Sequence, residues 1–302
     1  MKILFAIAAF ALSAAMQAAE FHVAKSGNNT NIGSVTKPLL TIQRAADLAQ
    51  PGDTITVHTG VYRERVNPPR GGNSDDQRIT YQAAPGDKVV ITGSEGVTGW
   101  TQVANDTWTV TLPNSFFGEF NPYSDVLEGH WFKPEGRIHH TGSVYLNGVW
   151  RGEAASLEAV LKPAGEDPLW FGQVTEKSTT LWAQFPSADP NAETVEINAR
   201  QTVFFPEQTG INYITVRGFI LRHAATPWSA PTQQQKGLIG PHWSKGWIIE
   251  DNEISHSITV GVQLGTTDLG DYPGNVHGYT NMITDASQSG AWSREKVGSH
   301  IV

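Results

Sequence analysis

Two stretches of this chain read as rungs of one coiled sheet: Ile214-Thr-Val-Arg-Gly-Phe-Ile-Leu-Arg-His223 and Trp247-Ile-Ile-Glu-Asp-Asn-Glu-Ile-Ser-His256. A third rung opens at Gly298-Ser-His-Ile-Val302, where the sequence ends. In a solenoid each rung buries its apolar face only against its neighbours, so an uncapped last rung leaves strand edges open. The expectation is either a fragment cut in mid-rung or a truly truncated product, which in the second case would self-associate as a homo-oligomer through that open edge.

Composition narrows the class. The chain has 302 residues, enough for a solenoid with a large core, and its charged fraction of 17% is low for a globular protein. Gly 30, Pro 17 and Trp 10 point to a turn-rich β protein with aromatic surfaces. A formal net charge of -8 without any basic run speaks against nucleic acid or an anionic membrane as partner. Residues 1–19 have the layout of a bacterial-type signal peptide: Lys2, an apolar run from Ile3 to Ala15, and small residues from Ala14 to Ala19. That run is shorter than the roughly 20 residues that span a bilayer. Export to the periplasm or outside is expected, with no membrane attachment after cleavage. Cys 0 excludes both a disulfide framework and thiol chemistry.

The mature chain opens with a short strand, Glu20 to Lys25. A helix follows, capped by Thr41, with Ile42, Ala45, Ala46 and Ala49 on one face and Pro51-Gly52 as its stop. Such a helix suits the open end of a β-solenoid. Strands are expected at Asp53–Val57, Arg78–Gln82 and Lys88–Thr92. The texture changes between about Gly96 and Arg200, where six tryptophans fall among alternating strands such as Thr107–Leu112, Ser143–Gly148 and Thr179–Phe185. Asn147-Gly148 is a two-residue hairpin signal. The expected division is therefore a signal peptide (1–19), a cap with first rungs (20–95), an inserted antiparallel β-sandwich (96–200) and further rungs (201–302). The fold class expected is all-β, a right-handed parallel β-helix with an N-terminal capping helix.

Three phrases carry a specific resemblance: Asn114-Ser-Phe-Phe-Gly-Glu-Phe-Asn-Pro-Tyr123, His223-Ala-Ala-Thr-Pro-Trp228, and Gly237-Leu-Ile-Gly-Pro-His-Trp-Ser-Lys-Gly-Trp-Ile-Ile-Glu-Asp-Asn252. Together they resemble glycoside hydrolase family 120, β-xylosidases built on a right-handed parallel β-helix with a β-sandwich insertion. The resemblance runs from about Phe21 to Val302. It implies an oligo- or polysaccharide partner, xylo-oligosaccharides in particular, and bound Ca2+. It implies members about twice this long, with both catalytic carboxylates beyond the point matching Val302. No catalytic residue is therefore assigned in this chain, which is expected to be inactive alone.

Read for themselves, several residues remain candidates for binding sugar. Trp228 and Trp243 sit on a proline-stiffened loop and could stack on pyranose rings, while Trp247 directly precedes an apolar strand and reads as core. His223 and His242 border that loop and could donate to hydroxyls, packed imidazoles being the other reading. Glu119 and Asn121 lie on a Gly/Pro-punctuated loop that could hold a hydroxyl or simply brace the insertion. Glu250 and Asp251 are adjacent on a strand, point to opposite faces and cannot flank one bond. Glu253 and Asn252 belong to a rung corner. Asp268 and Asp271 could begin a calcium site, although no third ligand is evident. Asn28-Asn29-Thr30 matches a glycosylation acceptor that a bacterial-type export signal leaves unused. Two other functions stay open. A polysaccharide lyase would recruit Lys245 or Arg222 with Glu250, and a secreted carbohydrate-binding or structural β-helix would need no catalytic pair.

Overall fold

The computed structural model describes residues 18–129, 131–228, 236–264 and 299–302. The chain passes repeatedly along three parallel ladders. Strands Glu20–Val23, Thr54–Val57, Ile79–Ala83, Ile214–Arg217 and Ile248–Glu250 form the first, paired in that order and all parallel. Strands Gly60–Arg63, Val89–Thr92, Ile220–Ala224 and Glu253–Ser257 form the second, also parallel. The third is one residue wide: Val66, Phe204, Ile239 and Val262 bridge in parallel succession. Ile301 bridges Ile248 and adds a further contact to the first ladder.

Alternation explains which face is inside. Ile55 and Val57, Ile79 and Tyr81, Ile214 and Val216 stand two apart on successive strands, and all are buried in one continuous core with Phe204 and Trp247. The register puts Ile55 beside Tyr81 and Tyr81 beside Val216, so each circuit covers the apolar row of the last. The corner from the first to the second ladder requires a left-handed residue. Gly218 supplies it in one circuit (φ 78°) and Asp251 in the next (φ 54°). Asn252 then ties the two circuits together, accepting the Phe219 amide at 3.0 Å and donating to the Val216 carbonyl at 2.9 Å.

Helix Ile42–Leu48 starts where the Thr41 hydroxyl accepts the Arg44 amide, and it buries Ile42, Ala45 and Ala46 against the core. The Glu64 carboxylate accepts the two preceding free amides, of Ile42 and Gln43. No described helix is long and apolar enough to cross a membrane.

Between Ser94 and Asn198 the chain leaves the ladders. Strands Ser94–Gly96, Val144–Leu146, Val149–Trp150 and Val195–Asn198 form a four-stranded antiparallel sheet. Strands Thr101–Ala104, Thr107–Pro113, Gly152–Glu153, Leu169–Val174 and Ser178–Gln184 form a five-stranded sheet, antiparallel except for one short parallel pair. A second apolar cluster lies between them, with Val144, Val195 and Ile197 from one sheet meeting Val110, Trp170 and Leu181 from the other. Asn147 and Gly148 both take positive φ and turn the hairpin of the smaller sheet.

Candidate functional site

The smaller antiparallel sheet and the second parallel ladder meet at a polar seam. Strand Val195–Asn198 is buried along its whole length, including Glu196. A carboxylate taken out of water needs partners, and Glu196 has them. Its Oε1 lies 2.6 Å from Arg63 Nη1 and accepts the Ser94 hydroxyl at 3.0 Å. Its Oε2 lies 3.5 Å from Arg222 Nη2 and 3.6 Å from His223 Nδ1. Arg63 and Arg222 come from the ladder, Glu196 from the antiparallel sheet, so the cluster joins the two units.

His223 is wholly buried, with φ at 61°, and its counterpart one circuit on, His256, has φ at 54°. The two rings meet edge to face, 5.4 Å between centroids. Tyr145 stacks flat on His223 at 3.8 Å with 14° between planes, and its hydroxyl donates to Asn198 at 2.9 Å. The Nδ1 of His223 sits 3.0 Å from Ser94 Oγ. Ser94 gives its only proton to Glu196, so the His223 Nδ1–H donates to Ser94. Burial, foremost, then the charges of Arg222, His256 and Arg63 push the His223 imidazole down to about 2, so it is neutral across the physiological range.

The outer end of this seam is aromatic. Trp150 faces Tyr145 across the hairpin and lies 5.3 Å from the His256 ring, with 39% of its surface exposed. An exposed indole beside a partly buried imidazole can stack on the apolar face of a sugar ring. Trp228, which leaves the end of strand Ile220–Ala224, packs on Phe132 at 5.8 Å between centroids.

The other residues singled out from the sequence are placed differently. Trp243 is 7% exposed and offers no open ring face to a groove. His242 is buried, its Nδ1 donating to the Pro206 carbonyl at 2.9 Å. Trp247 lies in the core and donates its indole N–H to the Ile211 carbonyl. Asn121 braces its loop, donating to Thr179 at 2.7 Å and accepting the Tyr123 amide at 3.0 Å, while Glu119 is exposed beside it. His223 is an internal strut of the seam and not a surface donor. Arg222 lies on the second ladder and Glu250 on the first, where Glu250 faces Arg217 at 3.8 Å. The lyase arrangement of Arg222 with Glu250 is therefore not assembled.

Sequence reasoning missed Glu196, Tyr145, Trp150 and His256. One signal was present for Glu196: a carboxylate inside the short apolar strand Val195-Glu-Ile-Asn198 requires a buried partner wherever that strand is internal. Among the described residues no group of three or more His, Asp or Glu side chains is placed to hold a metal ion. The Asp268 and Asp271 loop lies outside the described residues, as do residues 1–17 of the signal-like segment.

Residues 97–169 match the glycoside hydrolase 120 insertion domain. Among solved structures the chain is similar to XylC, whose structure was determined in complex with xylose. Identity is 44%, the TM-score is 0.87, and the match covers 93% of this chain and 48% of XylC. The chain thus spans about half the length of that relative. A structure described as a glycoside hydrolase (12% identity, TM-score 0.47, 82% of this chain and 65% of that one) and a rhamnogalacturonan lyase (11%, 0.28, 82% and 36%) are too distant to carry argument. No curated protein matches the chain.

Proposed function

We propose that this glycoside hydrolase family 120-like chain forms the scaffold and one wall of the sugar cleft of an exported, retaining β-xylosidase-like enzyme. Its substrates are xylo-oligosaccharides. The observation that carries the reading is the likeness to XylC, at 44% identity over 93% of the chain. The three parallel ladders are read as a right-handed parallel β-helix, and residues 96–200 as its inserted β-sandwich, supported by the separate apolar cluster between the two antiparallel sheets.

Retention requires two carboxylates about 5 Å apart, one attacking the anomeric carbon and one transferring the proton. Glu196, the buried carboxylate at the seam, has both oxygens engaged by Arg63, Ser94, Arg222 and His223. It holds the wall in place and takes no chemical step. Trp150 and His256 provide a stacking surface at the same seam, and Trp228 with Phe132 a second aromatic pair. The catalytic pair is assigned to sequence beyond Val302, and Ca2+, implied by the resemblance alone, has no role derived from these residues.

The test is hydrolysis of 4-nitrophenyl β-xyloside by the complete gene product, followed by proton NMR. β-Xylose is the first anomer expected, and residues 20–302 alone should release none. First formation of the α-anomer, or no xylose release by the complete product, overturns the reading.

A further inference from the structure

The first strand of the coil is held at its very start by a buried carboxylate. Asp53 closes the turn after helix Ile42–Leu48: its Oδ2 accepts the Gln50 amide at 2.7 Å, and its own amide donates to the Gln50 carbonyl at 2.9 Å. Gly52, with φ at 99°, gives that turn the left-handed residue it needs. The other oxygen, Oδ1, accepts the amide of Ala19 at 2.7 Å, 34 positions earlier. The Ala19 carbonyl in turn accepts the Thr54 amide at 2.9 Å, and Glu20 pairs with Thr54 to open the first ladder. Ala19 is thus pinned at both its nitrogen and its carbonyl. Ala18 before it is exposed and makes no hydrogen bond among the described residues.

Asp53 is 6% exposed and, among the described residues, forms no ion pair; its partners are neutral amides. A carboxylate taken out of water is better compensated by a cation, and a hydrogen bond between two charged groups is stronger than one from a neutral donor. A free α-amine at Ala19 would supply that cation on the very nitrogen that meets Oδ1. The sequence brings such an amine within reach, because the apolar run and the small residues Ala14 to Ala19 have the layout that export peptidases cut. Cuts at different bonds have different consequences. A cut after Ala15, where Ser13 and Ala15 take the small positions, leaves Asp53 with neutral donors alone. A cut after Ala19 removes that residue's amide and carbonyl, and with them both bonds that seat the strand. A cut after Ala18 keeps both bonds and turns the Ala19 nitrogen into an ammonium.

We propose that the Ala18–Ala19 bond is the processing site of the chain, and that the new terminal ammonium forms a buried ion pair with Asp53 that locks the first strand. The assignment rests on the reading of the chain as exported and is independent of its substrate. In the step, water adds across the amide and the C–N bond breaks. Ala18 leaves as a carboxylate, giving up a proton, and the Ala19 amine takes one up at neutral pH. The leader then ends one residue sooner than the 1–19 layout suggests. Before the cut the same strand is held through a neutral amide, a weaker bond, so removal of the leader tightens the start of the coil.

The test begins with the full chain, expressed with its leader in a bacterium, recovered after export and read by intact mass and N-terminal sequencing. Ala19 is the first residue expected. A chain that begins at Met16 or Glu20 overturns the assignment and leaves export standing, while a chain that keeps its leader overturns both. The ion pair is read separately, by urea unfolding of chains that begin at Ala19 and at Ala18, each with and without Asp53→Asn. The chain beginning at Ala19 should unfold at a midpoint higher by about 0.3 M, and Asp53→Asn should abolish that difference. Equal midpoints for the two unsubstituted chains, or a difference that survives Asp53→Asn, overturn the pair. The comparison of the unsubstituted chains stands by itself should Asp53→Asn fail to fold.

Discussion

Glu196 shows how much one side chain can hold. It is 1% exposed and touches Arg63 and Arg222 from the ladder and Ser94 from its own sheet. Glu196→Ala would leave the Arg63 and Arg222 guanidinium groups without their shared carboxylate, and breaking a buried ion pair in this way costs about 3–5 kcal/mol. Urea denaturation should report a loss of that size, and a change below about 1 kcal/mol would mean that water already screens the cluster. Such a residue is hard to recognise in sequence because its partners are remote. Ser94 is 102 positions away from it and Arg63 133. His223 was visible beside the aromatic phrase ending at Trp228, yet Ser94, which fixes its proton, lies 129 residues off. Residue type and local spacing pointed to the neighbourhood but carried no information on burial.

Elements built from local rules were legible almost to the residue. Thr41 caps the helix, Asn147-Gly148 turns the hairpin, and Thr107–Pro113 and Ser178–Gln184 are strands where alternation placed them. Thr41→Ala removes the bond to the Arg44 amide and should cost about 1 kcal/mol, measured as a lower urea midpoint with unchanged slope. A loss near zero would show that Glu64, which takes the adjacent amides, caps the helix alone. That second cap was not legible, since Glu64 stands 22 residues from Ile42. The third ladder escaped for another reason. A ladder one residue wide has no alternation to detect, and only the fold aligns Val66, Phe204 and Ile239.

Across the whole molecule, protection from solvent should follow position in the ladders. Strand Ile214–Arg217 lies between two strands and is backed by the continuous core, whereas Glu20–Val23 has a strand on one side and on the other only the bridge from Val23 to Leu39. Hydrogen exchange followed by mass spectrometry should find the amides of 214–217 slowest in the first ladder and those of 20–23 markedly faster. Equal rates would mean that the ladder opens as a single unit. The order of the circuits was foreseeable from the rung-like phrases at 214–223 and 247–256. The long excursion between the second and third ladders was visible as a change of texture, but the polar seam that fastens it to the coil was not.

The narrow third ladder has an engineering consequence. A wide strand pins the chain on both sides of a corner, but a single bridging residue demands only that the backbone return to one point. Thr92 ends a strand of the second ladder, and the chain next meets the coil's third ladder at Phe204. Loop-closure entropy grows only logarithmically with length, so this corner can accept a small module or a large one at similar cost. It is a port for exchanging one attached module for another, provided that the new module meets Arg63, Arg222 and His223 of the second ladder with partners equivalent to Glu196 and Ser94.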